Sequence, residues 1–230
     1  MFSSFASVGF CGSRSLPASA RPLVTSVVSA VCSGSTVRSV QLVVGCSVGA
    51  DALVLSSVPR HMLSNLTVFA AFGFGGRGSC SLSAVPAVLA ASRGGARIRW
   101  WAGGLPDVPL HQRLALRSVA LVRFLARHAS SFGGLIQRPP SALICFLSSP
   151  RSRGSLIACR RAARSGVTVF AFCVGFSPAI PLAGSFTIPL AGSPTCLPRL
   201  HHRGFWIPIQ VAGLPTVIGS SISAYRWEQL

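Results

Sequence analysis

The segment VQLVVGCSVGADALVLSSV, residues 40–58, contains the pattern that decides the fold class. Residues 40–44 form an uninterrupted apolar run, which is typical of a strand that is buried on both faces of a parallel sheet. Residues 45–51 are rich in small side chains, and a helical pattern over residues 50–58 follows them. A strand, a glycine-rich turn and a helix in this order predict one unit of a parallel α/β sheet.

The same alternation runs through the first two thirds of the chain, and it predicts a Rossmann-like three-layer α/β sandwich with a mostly parallel sheet. The predicted strands cover residues 6–11, 40–44, 66–72, 98–101, 142–147 and 168–173. The predicted helices cover residues 21–33, 50–58, 82–92, 110–128 and 155–165. Residues 1–175 are therefore expected to form one nucleotide-binding domain.

The character of the sequence changes after residue 175. Proline and glycine become frequent, and the segment IPLAGS occurs at residues 180–185 and again at 188–193. Two copies make a local duplication and not a solenoid. Residues 176–230 are therefore predicted to be an irregular C-terminal extension of the domain.

Three predicted strands are followed by small residues, in GFCGSRS (residues 9–15), VVGCSVGAD (43–51) and SSPRSRGSLIACRRA (148–162). The carboxyl ends of parallel strands share one edge of the sheet, so these loops can line one crevice. Glycine lets the backbone approach a phosphate, and the helix that follows offers free N–H groups. The candidate phosphate-binding residues are Gly12, Ser13, Arg14, Gly45, Ser47, Gly49, Asp51, Arg113, Arg117, Arg153, Gly154 and Ser155.

Several of these residues have a second interpretation. Asp51 could orient a ribose or base, pin its own loop, or act as a helix N-cap, where aspartate is preferred. Arg14 could bind phosphate or be an ordinary exposed loop residue. Arg151 and Arg153 lie at the start of a predicted helix, where a cation opposes the helix dipole unless an anion intervenes.

The helix predicted over residues 110–128 has an apolar side that contains Leu121 and Leu125. At about 100° per residue, its arginines are expected on the opposite arc. These arginines are Arg113, Arg117, Arg123 and Arg127. Arg113 and Arg117 could face the crevice, or they could belong to a solvated helix face.

Trp100 and Trp101 lie beside Arg97 and Arg99. Aromatic rings next to cations can stack the bases of a single strand. The alternative is an apolar wedge that packs under a loop.

The charge balance has two explanations. All 21 basic residues are arginine, against three acidic residues, and the formal net charge is +18. Because arginine binds phosphate in a bidentate manner, this charge favours a nucleotide or a single-stranded nucleic acid as partner. However, the residue types that require adenine in their codons are scarce throughout the chain, and an adenine-poor gene would give a basic, lysine-free protein whatever its function.

The eight cysteines include no CxxC or CxxH pair, so neither a metal site nor a cofactor is predicted. Buried thiols fit a reducing, cytoplasmic setting better than a disulfide scaffold. Residues 1–30 lack the pattern of a signal peptide. Residues 165–198 carry no charge but are interrupted by prolines, so no membrane insertion is expected.

The motifs resemble the superfamily that unites the bacterial DNA-processing proteins (DprA/Smf) with the Lonely-Guy phosphoribohydrolases, and they are closer to the DNA-processing branch. The resemblance rests on GSR at residues 12–14, VVGCSVGAD at 43–51, RLALRSVALV at 113–122 and SRGSLIACRRAARSGVTVFAF at 152–172. In this order the motifs cover about residues 6–175. The resemblance implies a Rossmann-like fold that holds single-stranded DNA or a nucleotide.

The chain departs from the Lonely-Guy pattern at one position that matters for catalysis. Those enzymes carry PGGxGTxxE, and the position of the glutamate is occupied here by Ala158. Hydrolysis of an N-glycosidic bond needs a carboxylate near the sugar, and Asp51 is the sole loop candidate. The sequence therefore favours a non-catalytic binding protein, which could act as a homo-oligomer. A phosphoribohydrolase-like enzyme and a membrane-associated or structural protein are the alternatives.

Overall fold

The computed structural model describes residues 2–33, 40–79, 84–129, 140–176, 197–210 and 222–229. Its strands are β1 (Ser7–Gly12), β2 (Gln41–Val44), β3 (Leu66–Phe69), β4 (Arg97–Arg99), β5 (Ser141–Leu147), β6 (Thr168–Val174), β7 (Phe205–Ile209) and β8 (Ile222–Glu228). Its α-helices are α1 (Arg21–Ser33), α2 (Ala50–Ser57), α3 (Val85–Arg93), α4 (Leu110–Ala129) and α5 (Arg153–Arg164).

The described strands form one eight-stranded sheet in the order β4-β3-β2-β1-β5-β6-β8-β7. The first six strands in this order are parallel to one another. The chain moves outward from β1 in one direction through β2 to β4, and then returns to add β5 on the other side of β1. The carboxyl ends of β1 and β5 therefore mark the point where the winding direction reverses, which is where open α/β sheets bind ligands.

Helices cover both faces of this sheet. Val24, Val54 and Val88, from α1, α2 and α3, belong to one buried cluster. Leu125 and Cys159, from α4 and α5, belong to a second cluster. Because both faces are covered, all seven residues of β5 are buried, as the apolar run predicted. The expected Rossmann-like three-layer sandwich is confirmed.

The positions of the predicted elements agree closely with the structure. Pro86 lies in the first turn of α3, where its missing N–H costs no helical hydrogen bond. The predicted third strand, residues 66–72, is shorter and ends at Phe69. Ala71 and Phe72 are not part of the strand. They begin the loop that packs against α4, where Arg113 donates to the Ala71 carbonyl.

Residues 176–230 were predicted to be irregular, and their described part differs from that prediction. β8 pairs with β6 in antiparallel fashion, and β7 pairs with β8, so both strands extend the main sheet. Trp206 and Trp227 face each other across this pair, with ring centroids 5.3 Å apart. Both IPLAGS copies lie outside the described residues, and the proposed domain boundary near residue 175 stays a prediction.

The prediction that the arginines of α4 lie opposite its apolar side is wrong for the two in the amino-terminal half of the helix. Arg113 and Arg117 are each 6% exposed, and they share the inward face with Leu121 and Leu125. These four residues are spaced by four, so they lie in one stripe along the helix. The stripe changes from arginine to leucine because the start of α4 packs over polar loops, whereas its later turns pack on the sheet.

No helix in the described ranges is both long and apolar enough to span a bilayer.

Candidate phosphate-binding site

Three loops follow the strands at the centre of the sheet. Loop 1 comprises residues 12–15 after β1, loop 2 comprises residues 45–51 after β2, and loop 3 comprises residues 148–155 after β5. Since β1 lies between β2 and β5, the three loops are neighbours at the carboxyl edge. This arrangement brings together segments that are more than 130 residues apart in sequence.

Ser13 fastens the three loops to one another. Its backbone N–H donates to the Phe146 carbonyl at 2.8 Å, and its carbonyl accepts from the Ala50 N–H at 3.1 Å. Its hydroxyl lies 2.7 Å from the Ser152 hydroxyl and accepts from the Ser148 N–H at 3.0 Å. Ser13 is only 4% exposed. Buried polar groups need hydrogen-bond partners, and Ser13 provides them for backbone and hydroxyl groups of the neighbouring loops.

Two glycines allow this close approach. A Cβ atom on Gly12 would overlap the Phe146 carbonyl oxygen and the Ala50 side chain. Gly49 has a φ of +74°, and a Cβ there would overlap the Ser13 and Arg14 carbonyl oxygens. Loops 1 and 2 therefore touch backbone to backbone, which side chains at these positions would prevent.

Loop 2 is held by a buried ion pair. The Asp51 carboxylate accepts from Arg117 Nη1 at 3.0 Å and from the Ser47 N–H at 2.9 Å. Arg117 Nη2 donates to the Ser47 hydroxyl at 2.9 Å. The side chains of Arg117 and Asp51 are only 7% and 4% exposed. Burial acts to lower the pKa of the Arg117 guanidinium, but the Asp51 carboxylate raises it above its ordinary value.

Asp51 therefore pins its own loop, which was one of the interpretations of the sequence. It is not the N-cap of α2, because that position is Gly49. Gly45 makes room for the ion pair, since a Cβ atom there would overlap the Arg117 guanidinium and the Asp51 carboxylate. The glycine that was expected to let a phosphate approach thus lets an arginine approach.

Arg113 holds a different segment, the loop after β3. Its Nη1 donates to the Ala71 carbonyl and its Nη2 to the Gly78 carbonyl, both at 3.0 Å. The guanidinium also lies 5.3 Å from the centre of the Trp101 ring. Because Arg113 and Arg117 are buried in these contacts, the alternative of a solvated helix face is excluded for both.

The exposed cations of the site lie at its rim. Arg14 is exposed on loop 1, and Arg151 and Arg153 are exposed on loop 3. Arg153, Gly154 and Ser155 form the first turn of α5, which contains no acidic residue. Ser152 makes no side-chain capping bond there, and the Arg153 N–H donates to the Arg151 carbonyl at 2.7 Å, so the N–H groups of Gly154 and Ser155 are the ones left for another acceptor.

The candidate residues thus fall into two groups. The first group is packed between the loops and consists of Gly12, Ser13, Gly45, Ser47, Gly49, Asp51 and Arg117. The second is at the rim and consists of Arg14, Arg153 and Gly154, with Ser155 buried directly behind them. Arg113 stands apart, since it fixes the neighbouring loop. Ser148 and Ser152 were missed, because serine is too common in this chain to single them out.

The two tryptophans pack within the protein. The Trp100 ring lies 6.1 Å from that of Phe72 and 5.7 Å from that of Phe74. Trp101 lies against Arg113, and Gly73 leaves space for its indole. These contacts agree with the alternative that Trp100 and Trp101 pack as an apolar wedge under a loop.

A cluster of three thiols lies directly beneath loops 1 and 3. The sulfur atoms of Cys11, Cys145 and Cys159 all lie within 4.8 Å of one another. Hydrogen bonds from the other two thiols lower the pKa of the Cys159 thiol to about 5, although burial opposes this shift. Hydrogen bonding to Cys11 and Cys159, together with burial, raises the pKa of the Cys145 thiol well above its ordinary value.

Comparisons with known proteins give one structural similarity. No family model matches the chain, and no curated protein matches it. The fold is similar to the X-ray structure of DNA processing protein A (DprA) from Streptococcus pneumoniae, with 18% sequence identity and a TM-score of 0.46. The similarity covers 74% of this chain and spans only 51% of that one. This similarity concerns the fold alone.

Proposed function

We propose that the chain is a non-catalytic binding protein that holds the phosphate groups of a nucleotide or of single-stranded DNA in the crevice formed by loops 1–3. The observation that carries this proposal is the junction of the three loops at Ser13, where the winding direction of the sheet reverses. Ligands of open α/β sheets bind at this place because diverging loops leave a crevice there.

The chemistry of the rim supports an anionic ligand. Arg14, Arg151 and Arg153 place three guanidinium groups on loops 1 and 3 without an acidic residue in the first turn of α5. Cations at a helix amino terminus oppose its dipole, and a bound phosphate would neutralise both. The motifs that resemble those of DNA-processing proteins include these loops, which favours single-stranded DNA as the ligand.

The state of Asp51 supports binding over hydrolysis. Its carboxylate is bonded to Arg117 and to the Ser47 N–H, so it is already used to hold loop 2. A general acid or base must reach the reacting atoms of the substrate. Ala158, at the position of the Lonely-Guy glutamate, is 5% exposed on the inner side of α5 and has no ionisable group.

The proposal is tested by comparing two double variants in a titration of a fluorescent oligo-dT. Arg14→Ala/Arg153→Ala should weaken binding and reduce the slope of log K against log salt by about 1.4, since each single-strand phosphate contact contributes roughly 0.7. Both residues are exposed, so the free energy of unfolding should change by less than about 0.5 kcal/mol. A parallel titration with a nucleoside monophosphate tells whether one phosphate is enough.

The matched control is Arg123→Ala/Arg127→Ala, which removes the same charge from exposed positions later in α4. This control is needed because other arginines outside loops 1–3, such as Arg60, Arg93 and Arg160, are also exposed. If both double variants weaken binding equally, the net charge of +18 and not the crevice binds the oligonucleotide, and the proposal is wrong. Negligible affinity of the wild-type protein at low salt would also contradict it.

A further inference from the structure

The thiol cluster beneath the loops joins three separate elements. Cys11 in β1 and Cys145 in β5 are register partners on adjacent parallel strands, so their side chains point to the same face of the sheet. Cys159 lies on the buried side of α5, which covers that face. Cys11 is distant in sequence from Cys145 and Cys159, and the fold brings the three sulfur atoms within 4.8 Å of one another.

We propose that Cys11, Cys145 and Cys159 form a binding site for one soft, thiophilic metal ion of the copper(I) class. With metal–sulfur bonds of about 2.3 Å, three sulfurs in a plane around one ion lie roughly 4 Å apart. The three thiols therefore need to move by less than about 1 Å to reach that geometry.

The ligand set favours copper(I) over zinc(II). Thiolate sulfur is a soft ligand, and structural zinc sites are almost always tetrahedral with four protein ligands. Within the described residues, the cluster contains no fourth cysteine, histidine or carboxylate. Three sulfurs and no fourth ligand suit an ion that accepts trigonal coordination.

The surroundings fit a buried, structural ion. Cys145 and Cys159 are fully buried among apolar side chains, and Cys11 is half-buried beside them. The thiols release their protons as sulfur–metal bonds form, which leaves negative charge at the site. Arg117 and its ion-pair partner Asp51 both interact electrostatically with Cys11, with opposite signs.

An ion at this site would tie α5 to β1 and β5 immediately below Ser13. It therefore stabilises the base of the crevice without touching its ligand. This inference is independent of the proposed binding function, because the cluster and the rim share no residue.

The test is a titration of the fully reduced, full-length protein with copper(I) in oxygen-free buffer, in competition with a copper(I) chelator. The wild-type protein should take up an ion with near-ultraviolet thiolate-to-copper absorption, and its melting temperature should rise. Cys11→Ser should lower the affinity by more than about 100-fold, the upper range for the loss of a mere second-shell partner.

Cys32→Ser is the matched control, because it removes one half-buried cysteine on α1, away from the cluster. It should leave the affinity and the absorption unchanged. If Cys11→Ser does not fold, Cys159→Ala serves in its place, with circular dichroism of the metal-free protein as the check. Unchanged affinity in the cluster variants, an equal loss in Cys32→Ser, or displacement of copper(I) by zinc(II) would overturn the proposal.

Discussion

The arginines of this protein occupy two contrasting regions. Arg113 and Arg117 are buried at the start of α4, and their Nη atoms are bonded to carbonyl, hydroxyl and carboxylate oxygens of the protein. Arg14 and Arg153 are exposed on loops 1 and 3. The same side chain therefore holds loops in place in one region and is exposed to solvent in the other.

The buried and the exposed arginines should therefore differ in what they contribute to, the first to folding stability and the second to ligand binding. A buried guanidinium has lost its hydration, so its protein partners must compensate for that loss. An exposed guanidinium keeps its hydration and contributes little to folding. We therefore expect that substitutions in the buried region change the free energy of unfolding, whereas those at the rim act on ligand affinity.

The largest effect is expected for the ion pair. Arg117→Met leaves the Asp51 carboxylate buried without a counter-ion, and breaking such a pair costs about 3–5 kcal/mol of unfolding free energy. Urea denaturation measures the loss. Arg117→Met/Asp51→Asn should be more stable than the single variant, because a neutral amide oxygen still accepts from the Ser47 N–H. Equal losses in the two variants would show that the stranded charge is not the cause.

A smaller effect is expected for Arg113→Met. The substitution removes two hydrogen bonds from a charged donor and leaves the Ala71 and Gly78 carbonyls to find other partners, at a cost of about 2–3 kcal/mol. Amide hydrogen exchange should also accelerate in residues 71–78, which Arg113 fastens to α4. Arg123→Met, at an exposed position of the same helix, should change stability by less than about 0.5 kcal/mol. Loss of stability without faster exchange in residues 71–78 would argue against this role of Arg113.

The fold could be predicted from the sequence because its signals are local. Apolar runs such as residues 40–44 and 142–147 predict buried parallel strands, and the loop glycines mark the turns between them. The antiparallel strands β7 and β8 were missed. Their place in the sheet depends on pairing with β6, and that long-range contact leaves no periodic signal in a segment rich in proline and glycine.

The sequence predicted that the three loops lie together, but not which contacts their residues make. Spacing along α4 places Arg113 and Arg117 on the helix surface, but burial depends on what packs there. Their partners include backbone carbonyls at Ala71 and Gly78, which no residue type reveals. The thiol cluster was missed for a similar reason, since Cys11, Cys145 and Cys159 meet only after β5 is inserted beside β1.

The smallest effects on stability are expected for alanine substitutions at two glycines. Gly45 lies against the buried Arg117, and Gly154 follows the exposed Arg153. Gly45→Ala should destabilise the protein by about 1–3 kcal/mol, because its methyl group overlaps the Arg117 guanidinium and the buried pair must shift. Gly154→Ala, next to Arg153, places its methyl group in open space in the first turn of α5. Alanine favours helix over glycine by up to about 1 kcal/mol, so this variant should be neutral or slightly more stable in the same urea denaturation. Equal destabilisation by the two substitutions would mean that Arg153 is packed as tightly as Arg117, and the contrast between the two regions would fail.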